Sequence, residues 1–414
     1  MSQPVAQFRL GRWITHRAVP AAVLGLLAAA GAHAAPLWVS DGVAPFQVGS
    51  PAAIGAERIQ FRADASQADN PYLELAASGN LLQATRMHSE RFPGGWHWSG
   101  AIDGDADQVV TLTWSEGRLA GRLQTTTGLW EVRPLVEGES LLVQMDTDAF
   151  PDELAPLQPD LPLAPYRPAE ATLPAAENAW RLDVLVTYLP AVVSEAGSLA
   201  NLRASVRNFV FGANVAARES GFNGRFHLVG LMQSAVTDDP DLGVILPRVR
   251  TDAATMAERN AVGADLVSLL VPAAGHPDGC GIGYVMQDPA SPGFDAWAYQ
   301  VSRYDCAKTY FSWAHEHGHN LGMGHNQEQT PSTFYPYAHG WGVGGVFRTI
   351  LSYASACTPS CPRVGRFSTP HRNYSGHPAG VADLAENARV GNNTAMTAAA
   401  FRTGNVIFAD GYDG

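Results

Sequence analysis

The sequence predicts an α/β domain with a largely parallel sheet, preceded by a small, mainly β domain. Three observations carry this expectation. After Trp180, strand-length apolar runs alternate with helix-length ones, the pattern of an α/β layer. From Ala35 to about Phe150 there are strand-length runs separated by turn residues. Between the two regions lies a stretch crowded with proline.

The elements follow in chain order. Arg9, Arg12 and Arg17 form a basic leader, and residues 21–30 an apolar core too short to span a bilayer. Ala32-His33-Ala34 matches a small-x-small cleavage site, so residues 1–34 read as a signal peptide and Ala35 as the new N-terminus. No adjacent arginine pair is present, which favours the general secretory route and a secreted or periplasmic protein. In residues 35–150, the runs 109–114 and 141–145 read as strands, with a hairpin turn at Ser115-Glu116-Gly117-Arg118. That region has no cysteine, and His88 and His97 stand alone as structural residues. Residues 151–178 carry Pro156, Pro159, Pro162, Pro165, Pro168 and Pro174 and read as an extended, accessible linker. A β domain joined by such a linker suggests a propeptide and a zymogen; an ordinary interdomain connector is the alternative.

In residues 179–403, strands are expected at 182–188, 226–232 and 264–271, with shorter ones at 281–286 and 297–302. Helices are expected at about 197–219, 252–259, 309–321 and 394–402. Residues 404–414 form an acidic tail with no evident site, and no internal repeat is found. Nothing after the leader is apolar for long enough to span a membrane.

The 414 residues allow two or three domains, and a formal net charge of -12 argues against nucleic acid or an anionic membrane as partner. All four cysteines fall late, at Cys280, Cys306, Cys357 and Cys361. Export favours disulfides, and sequence proximity favours Cys280–Cys306 and Cys357–Cys361 among the three pairings. The longer loop would contribute roughly 3–4 kcal/mol and the shorter about 2. Free buried thiols are the alternative, and the spacing does not suit a zinc ribbon.

One stretch carries chemistry: His315 to His325 reads HEHGHNLGMGH and fits H-E-x-x-H-x-x-G-x-x-H throughout. His315 and His319, four apart, share one helix face and can aim at one point. Glu316 projects beside that point, free to act on a water. Gly322 can take the positive φ that ends the helix, and His325 then arrives as a third nitrogen. Three protein ligands with a position left for water is the arrangement of a catalytic Zn2+ rather than a structural one. His317 lies on another face, as a surface or outer residue.

With the motif in place, residues 180–402 resemble the reprolysin (adamalysin) branch of the metzincin zinc metalloproteases, in particular secreted bacterial members. The carriers are Val184-Leu185-Val186-Thr187-Tyr188, Gly263-Ala264-Asp265-Leu266-Val267, Cys280-Gly281-Ile282-Gly283-Tyr284, the zinc helix with Gly318-His319-Asn320-Leu321-Gly322, Thr349-Ile350-Leu351-Ser352-Tyr353, and Phe367-Ser368. The resemblance implies a metzincin-type catalytic domain: a twisted sheet carrying the active-site helix, with a small lower subdomain after His325. Two positions depart from the family pattern. Leu351 stands where metzincins place a methionine beneath the zinc, a volume-conserving swap that costs under about 1.5 kcal/mol. Asn326 replaces the usual Asp after the last histidine. Tyr353 matches a tyrosine that astacins and serralysins bring to the zinc; a packed core tyrosine is the alternative. No cysteine precedes Cys280, which excludes latency by a prodomain thiol.

The expected function is a secreted zinc endopeptidase acting on protein or peptide substrates. Glu316 is its general base and acid, and residues 281–284 (Gly281, Ile282, Gly283, Tyr284) form an edge that holds the peptide. Two other classes stay open: an exported zinc-binding interaction or adhesion module with little activity, and a zinc hydrolase acting on a non-peptide bond.

Overall fold

Two-residue turns with positive φ at both positions suit the twist of paired strands, and the N-terminal region uses them repeatedly. Asp103-Gly104 and Glu116-Gly117 are such turns, each a non-glycine followed by glycine. The computed structural model describes residues 36–43, 50–62, 65–77, 79–161, 179–288, 293–329 and 333–402. Residues 1–34, where a signal peptide is expected, residues 162–178 of the expected linker and the tail 404–414 fall outside the described residues.

Nine strands form one antiparallel sheet: β1 (Trp38–Val43), β2 (Ala53–Phe61), β3 (Tyr72–Ala77), β4 (Asn80–Phe92), β5 (Gly95–Ile102), β6 (Asp105–Ser115), β7 (Arg118–Thr125), β8 (Gly128–Pro134) and β9 (Glu139–Met145). Their order is β1-β2-β9-β8-β7-β6-β5-β4-β3, so strands from β3 to β9 run as a meander. The sheet curls until its ends meet, where Leu37 N–H donates to Glu74 O at 2.8 Å and Trp38 Nε1–H to Ala76 O at 2.6 Å. The curl encloses a core around Trp38, Trp96, Trp98, Leu112 and Leu123. The runs 109–114 and 141–145 lie in β6 and β9, and the 115–118 turn joins β6 to β7.

The second region begins with β10 (Trp180–Tyr188), α1 (Pro190–Ala196), α2 (Leu199–Ser220), β11 (Gly224–Gln233), α3 (Leu242–Thr251), α4 (Ala253–Val262) and β12 (Leu266–Val271). It continues through β13 (Gly281–Gly283), β14 (Tyr299–Arg303), α5 (Tyr304–Thr309) and α6 (Ser312–Asn320). The sheet order is β11-β10-β12-β14-β13; β10 is parallel to β11 and β12, β12 is parallel to β14, and β13 runs antiparallel at the edge. Beyond α6 come the small strands β15 (Gly342–Val343), β16 (Phe347–Arg348), β17 (Thr369–Tyr374) and β18 (His377–Ala379), then α7 (Asn387–Ala398). Fully buried Val184, Val186, Leu266 and Leu269 of the sheet share a core with Val206 and Val210 of α2, Trp313 and Leu351.

Several boundaries differ from expectation. The helix expected at 197–219 is α2, which starts at Leu199 where Ser198 caps it by accepting from Asn201 N–H; the short α1 before it, closed by Gly197 at φ 82°, was not expected. Helix α3 was not foreseen; Pro247 inside it masks the periodicity. The motif helix is shorter than 309–321, because Phe311 at φ 61° separates α5 from α6. The edge strand ends at Gly283 rather than Met286, and the last helix sits earlier than 394–402. The first part of the linker does not stand free: residues 152–157 run along β13, with Glu153 buried and Leu154 and Leu157 partly buried against the core, while Ala155 stays exposed. Apolar Leu154 and Leu157 and backbone pairing explain why a proline-rich composition did not predict this.

The β sheet packs on α2, where Asn208 Nδ2–H donates to Thr113 Oγ1 at 3.2 Å and the His97 and Phe211 rings stack at 4.7 Å. The described residues form one compact unit. Cys280 pairs with Cys306 and Cys357 with Cys361, and no described cysteine is free. No described helix is long and apolar enough to cross a membrane.

Candidate active site

The site is built where α6 passes beneath β13. Helix α6 ends as the sequence requires: Gly322 at φ 78° lets its own N–H reach His319 O and the Met323 N–H reach Gly318 O, a Schellman closure. A Cβ on residue 322 would also meet Met286 O at 2.9 Å. Asn320 Nδ2–H ties the helix to the sheet through Tyr284 O at 2.8 Å and Tyr299 O at 3.2 Å. His317 turns away into the core, hydrogen-bonded to Asn320 and edge-on to the Trp313 ring at 4.4 Å, so it is neither a surface residue nor part of the triad.

His315, His319 and His325 converge. Their Nε2 atoms lie 3.1, 3.0 and 3.0 Å apart in the three pairs. His315 Nδ1 faces Ile350 O at 2.8 Å and His319 Nδ1 faces Met323 O at 2.8 Å. A carbonyl only accepts, so those Nδ1 atoms carry the proton and the Nε2 lone pairs point at one another. Burial holds all three imidazoles below their ordinary pKa, to about 4 for His319. Neutral nitrogens facing inward without a proton between them suit a cation. Tetrahedral metal–nitrogen bonds of about 2.0–2.1 Å set ligands roughly 3.3–3.4 Å apart, close to this spacing. The donor set fits a metal ion.

Glu316 is fully buried beside the triad, and neither of its carboxylate oxygens has a hydrogen-bond partner. Burial raises its pKa well above the usual range, and the charge on Glu153 adds to that. Gly281 and Gly283 make room for it: a Cβ at 281 would meet Glu316 Oε1 at 2.7 Å, and one at 283 would meet Oε2 at 3.1 Å. Leu351 packs beneath the helix against Gly318, where a Cβ would stand 3.0 Å from a Leu351 methyl. Asn326 is buried and accepts the Tyr353 N–H at 3.1 Å. Tyr353 lays its ring against His325 with centroids 4.0 Å apart. Burial and then Glu153 raise its pKa, so the hydroxyl keeps its proton.

The edge strand already holds an extended peptide, and it is the chain's own. Leu154 N–H donates to Gly281 O and Leu157 N–H to Gly283 O, both at 2.9 Å. Cys280 N–H donates to Asp152 O and Val285 N–H to Leu157 O. Leu157 pairs with Tyr284 in parallel sense. The segment brings two acids that lie far from the zinc motif in sequence. Glu153, buried, takes both Nη groups of Arg363 at 2.5 and 2.6 Å and Ser312 Oγ at 2.6 Å. Burial opposes its charge, but Arg363 outweighs that and holds the carboxyl below the usual range. Asp152 takes Arg348 at 3.0 Å and Ala354 N–H at 2.9 Å. Contacts across 210 residues leave no local pattern in the sequence; the adjacent Asp152-Glu153 at the head of the linker was the available signal.

The reprolysin-like model of metallo-peptidase family M12B matches residues 180–383. A peptidyl-Asp metalloendopeptidase of Stenotrophomonas maltophilia strain R551-3 is 30% identical, covering 92% of this chain and 97% of that protein. The peptidyl-Asp metalloendopeptidase of strain K279a is 30% identical with the same coverage. One from Xanthomonas campestris pv. campestris is 27% identical over 85% of this chain and 87% of its own length.

Proposed function

This chain belongs to the reprolysin-like metallopeptidases of family M12B, and on that premise we propose a secreted zinc endopeptidase, made as a zymogen, that acts on peptides at acidic residues. The observation that carries the chemistry is the inward-facing triad of His315, His319 and His325 with an unpartnered Glu316 beside it. These three histidines are the residues that would hold the metal, and three neutral nitrogens suit zinc. Zinc, when bound, polarises the scissile carbonyl and lowers the pKa of a water from about 16 to near 7. Glu316 takes the proton of the attacking water and passes it to the leaving amine, a task that a raised pKa favours. β13 supplies main-chain partners for the substrate. Tyr353, still protonated beside His325, is placed to donate to the developing oxyanion.

The acidic preference comes from the relatives, which are named for peptidyl-Asp cleavage. Residues 1–34 would direct export, residues 35–150 would be the propeptide, and 151–178 the linker cut on activation, leaving the catalytic domain 179–403 and the tail 404–414. The linker lying along β13 supports latency by occlusion. The active species should therefore begin between about residues 151 and 180, read by N-terminal sequencing; full activity from a chain beginning at Ala35 argues against it. A binding module without activity is not favoured, since the relatives are endopeptidases.

The deciding experiment is casein zymography with and without chelator on wild type and Glu316→Gln. The variant keeps shape but loses the base, so hydrolysis should fall by at least about 100-fold while zinc content stays at one per chain. Near-normal hydrolysis by Glu316→Gln would remove this mechanism.

A further inference from the structure

The geometry points to Arg363 as the residue that selects acidic side chains in the substrate, with Glu153 of the linker filling that place until the linker withdraws. This rests on the endopeptidase reading and adds which residue reads the substrate and what blocks it.

Arg363 has no exposed side-chain surface, and its guanidinium lies over the Tyr310 ring at 4.1 Å. It offers Glu153 the two-pronged fork that a guanidinium makes with a carboxylate and that lysine cannot copy. Among the described residues, the other groups Arg363 touches are carbonyls of Tyr310 and Ser352 and, at 3.7 Å, the Asp152 carboxylate. Both acids belong to the linker. When the linker leaves, a buried cation therefore loses the charges that compensate it, which is strongly unfavourable. An acidic side chain entering from a substrate restores the fork; a neutral one leaves the cation bare, and a lysine is repelled.

The pocket is also in the right place. Glu153 Oε2 stands 3.5 Å from His315 Nδ1, on the outer side of an imidazole whose Nε2 belongs to the triad. The backbone on either side of Glu153 is bonded to the edge: Asp152 O to Cys280 N–H, and Leu154 N–H to Gly281 O. The carboxylate thus hangs from a main chain held as an extended peptide would be held, beside the chemistry. A bridge meant only to fasten the linker would not need to lie against the triad or sit beneath a chain paired with the substrate edge.

The test uses the full-length chain, secreted and allowed to reach its active form. Its substrates are quenched peptides identical but for one residue, Asp, Glu, Asn, Leu or Lys. Wild type should favour Asp or Glu over Asn by at least about 100-fold in kcat/KM, as expected of a site built to bind a polar group that the analogue lacks. Arg363→Gln should bring the acid-to-amide ratio to within a few-fold of one. A fastening role would slow every peptide alike and keep the ratio, and that result would overturn the assignment. Should Arg363→Gln fail to fold because Glu153 is left unpaired, Glu153→Gln/Arg363→Gln removes both charges and is expected to show the same lost preference. The blocking half has a readout without turnover: hydrogen exchange at the Leu154 and Leu157 amides in full-length Glu153→Gln should be at least about 10-fold faster than in wild type. Unchanged protection overturns it. Casein cleavage by wild type without acidic preference refutes the pocket alone; no cleavage of casein or any peptide refutes the endopeptidase reading, and this inference with it.

Discussion

His325 reaches the triad from the loop beyond Gly322, while His315 and His319 are fixed by the helix and by carbonyls behind them. Loss of His325 should therefore leave two well-oriented nitrogens but open the coordination. His325→Ala should keep its fold and lower zinc affinity by more than the roughly 100-fold seen when an outer partner of a ligand is removed. Elemental analysis after dialysis checks this; full retention of zinc would mean that the third ligand is misassigned. Tyr353→Phe keeps the ring against His325 and removes only the hydroxyl, so its activity should fall far less than that of Glu316→Gln. At this scale the sequence was most legible for the triad, because helical spacing and a glycine turn tie residue type to geometry within eleven positions. It was silent about Arg363 and Glu153, whose pairing depends on how two distant segments fold together.

The edge strand shows how an element sets the chemistry without supplying a reacting group. Gly281 and Gly283 read as residues that let a peptide approach, yet the space they leave is filled from the other side by the Glu316 carboxylate. Gly281→Ala places a methyl within 2.7 Å of Glu316 Oε1 and 3.0 Å of Val301 O, so the carboxylate must move. A misplacement of about 1 Å can cost about 100-fold, so hydrolysis should drop by one to two orders of magnitude. Zinc content should be unchanged, because the triad is untouched. Kinetics and elemental analysis on the same preparation decide; wild-type activity would mean that the carboxylate needs no such room. The alternation of strands and helices was legible because buried β10 and β12 are continuous apolar runs. The breaks were not: Phe311 takes a left-handed conformation, and the Arg122 guanidinium of β7 lies 4.3 Å over its ring. A non-glycine residue gives no local sign of such a turn.

Across the whole molecule, the β sheet and the α/β region meet through buried charge as well as apolar surface, and composition could not foretell it. Glu131 of β8 is buried between Arg133 of its own strand and Lys308 of α5, with contacts of 2.7 and 2.6 Å. Burial alone would raise the Glu131 pKa, but Arg133 and then Lys308 overcome that and hold it at about 2. Lys308 is itself lowered, chiefly by burial with Arg133 adding, an effect that belongs to the alkaline side of its range. A carboxyl depressed in the folded state stabilises fully above its unfolded pKa and less as pH falls toward the folded value. The window therefore runs from about 4.5 down to about 2. At neutral pH, Glu131→Gln leaves Arg133 and Lys308 buried without their carboxylate, a loss of about 3–5 kcal/mol for a broken buried pair. Its melting temperature should lie well below that of wild type at pH 7. As the pH is lowered from 5 to 2.5, wild type should lose stability faster than the variant, because only wild type has this carboxylate to protonate, and the gap should narrow. Calorimetry of both proteins across that range measures it. A gap at pH 3 as wide as at pH 7 would show that the charge on Glu131 does not hold the two regions together.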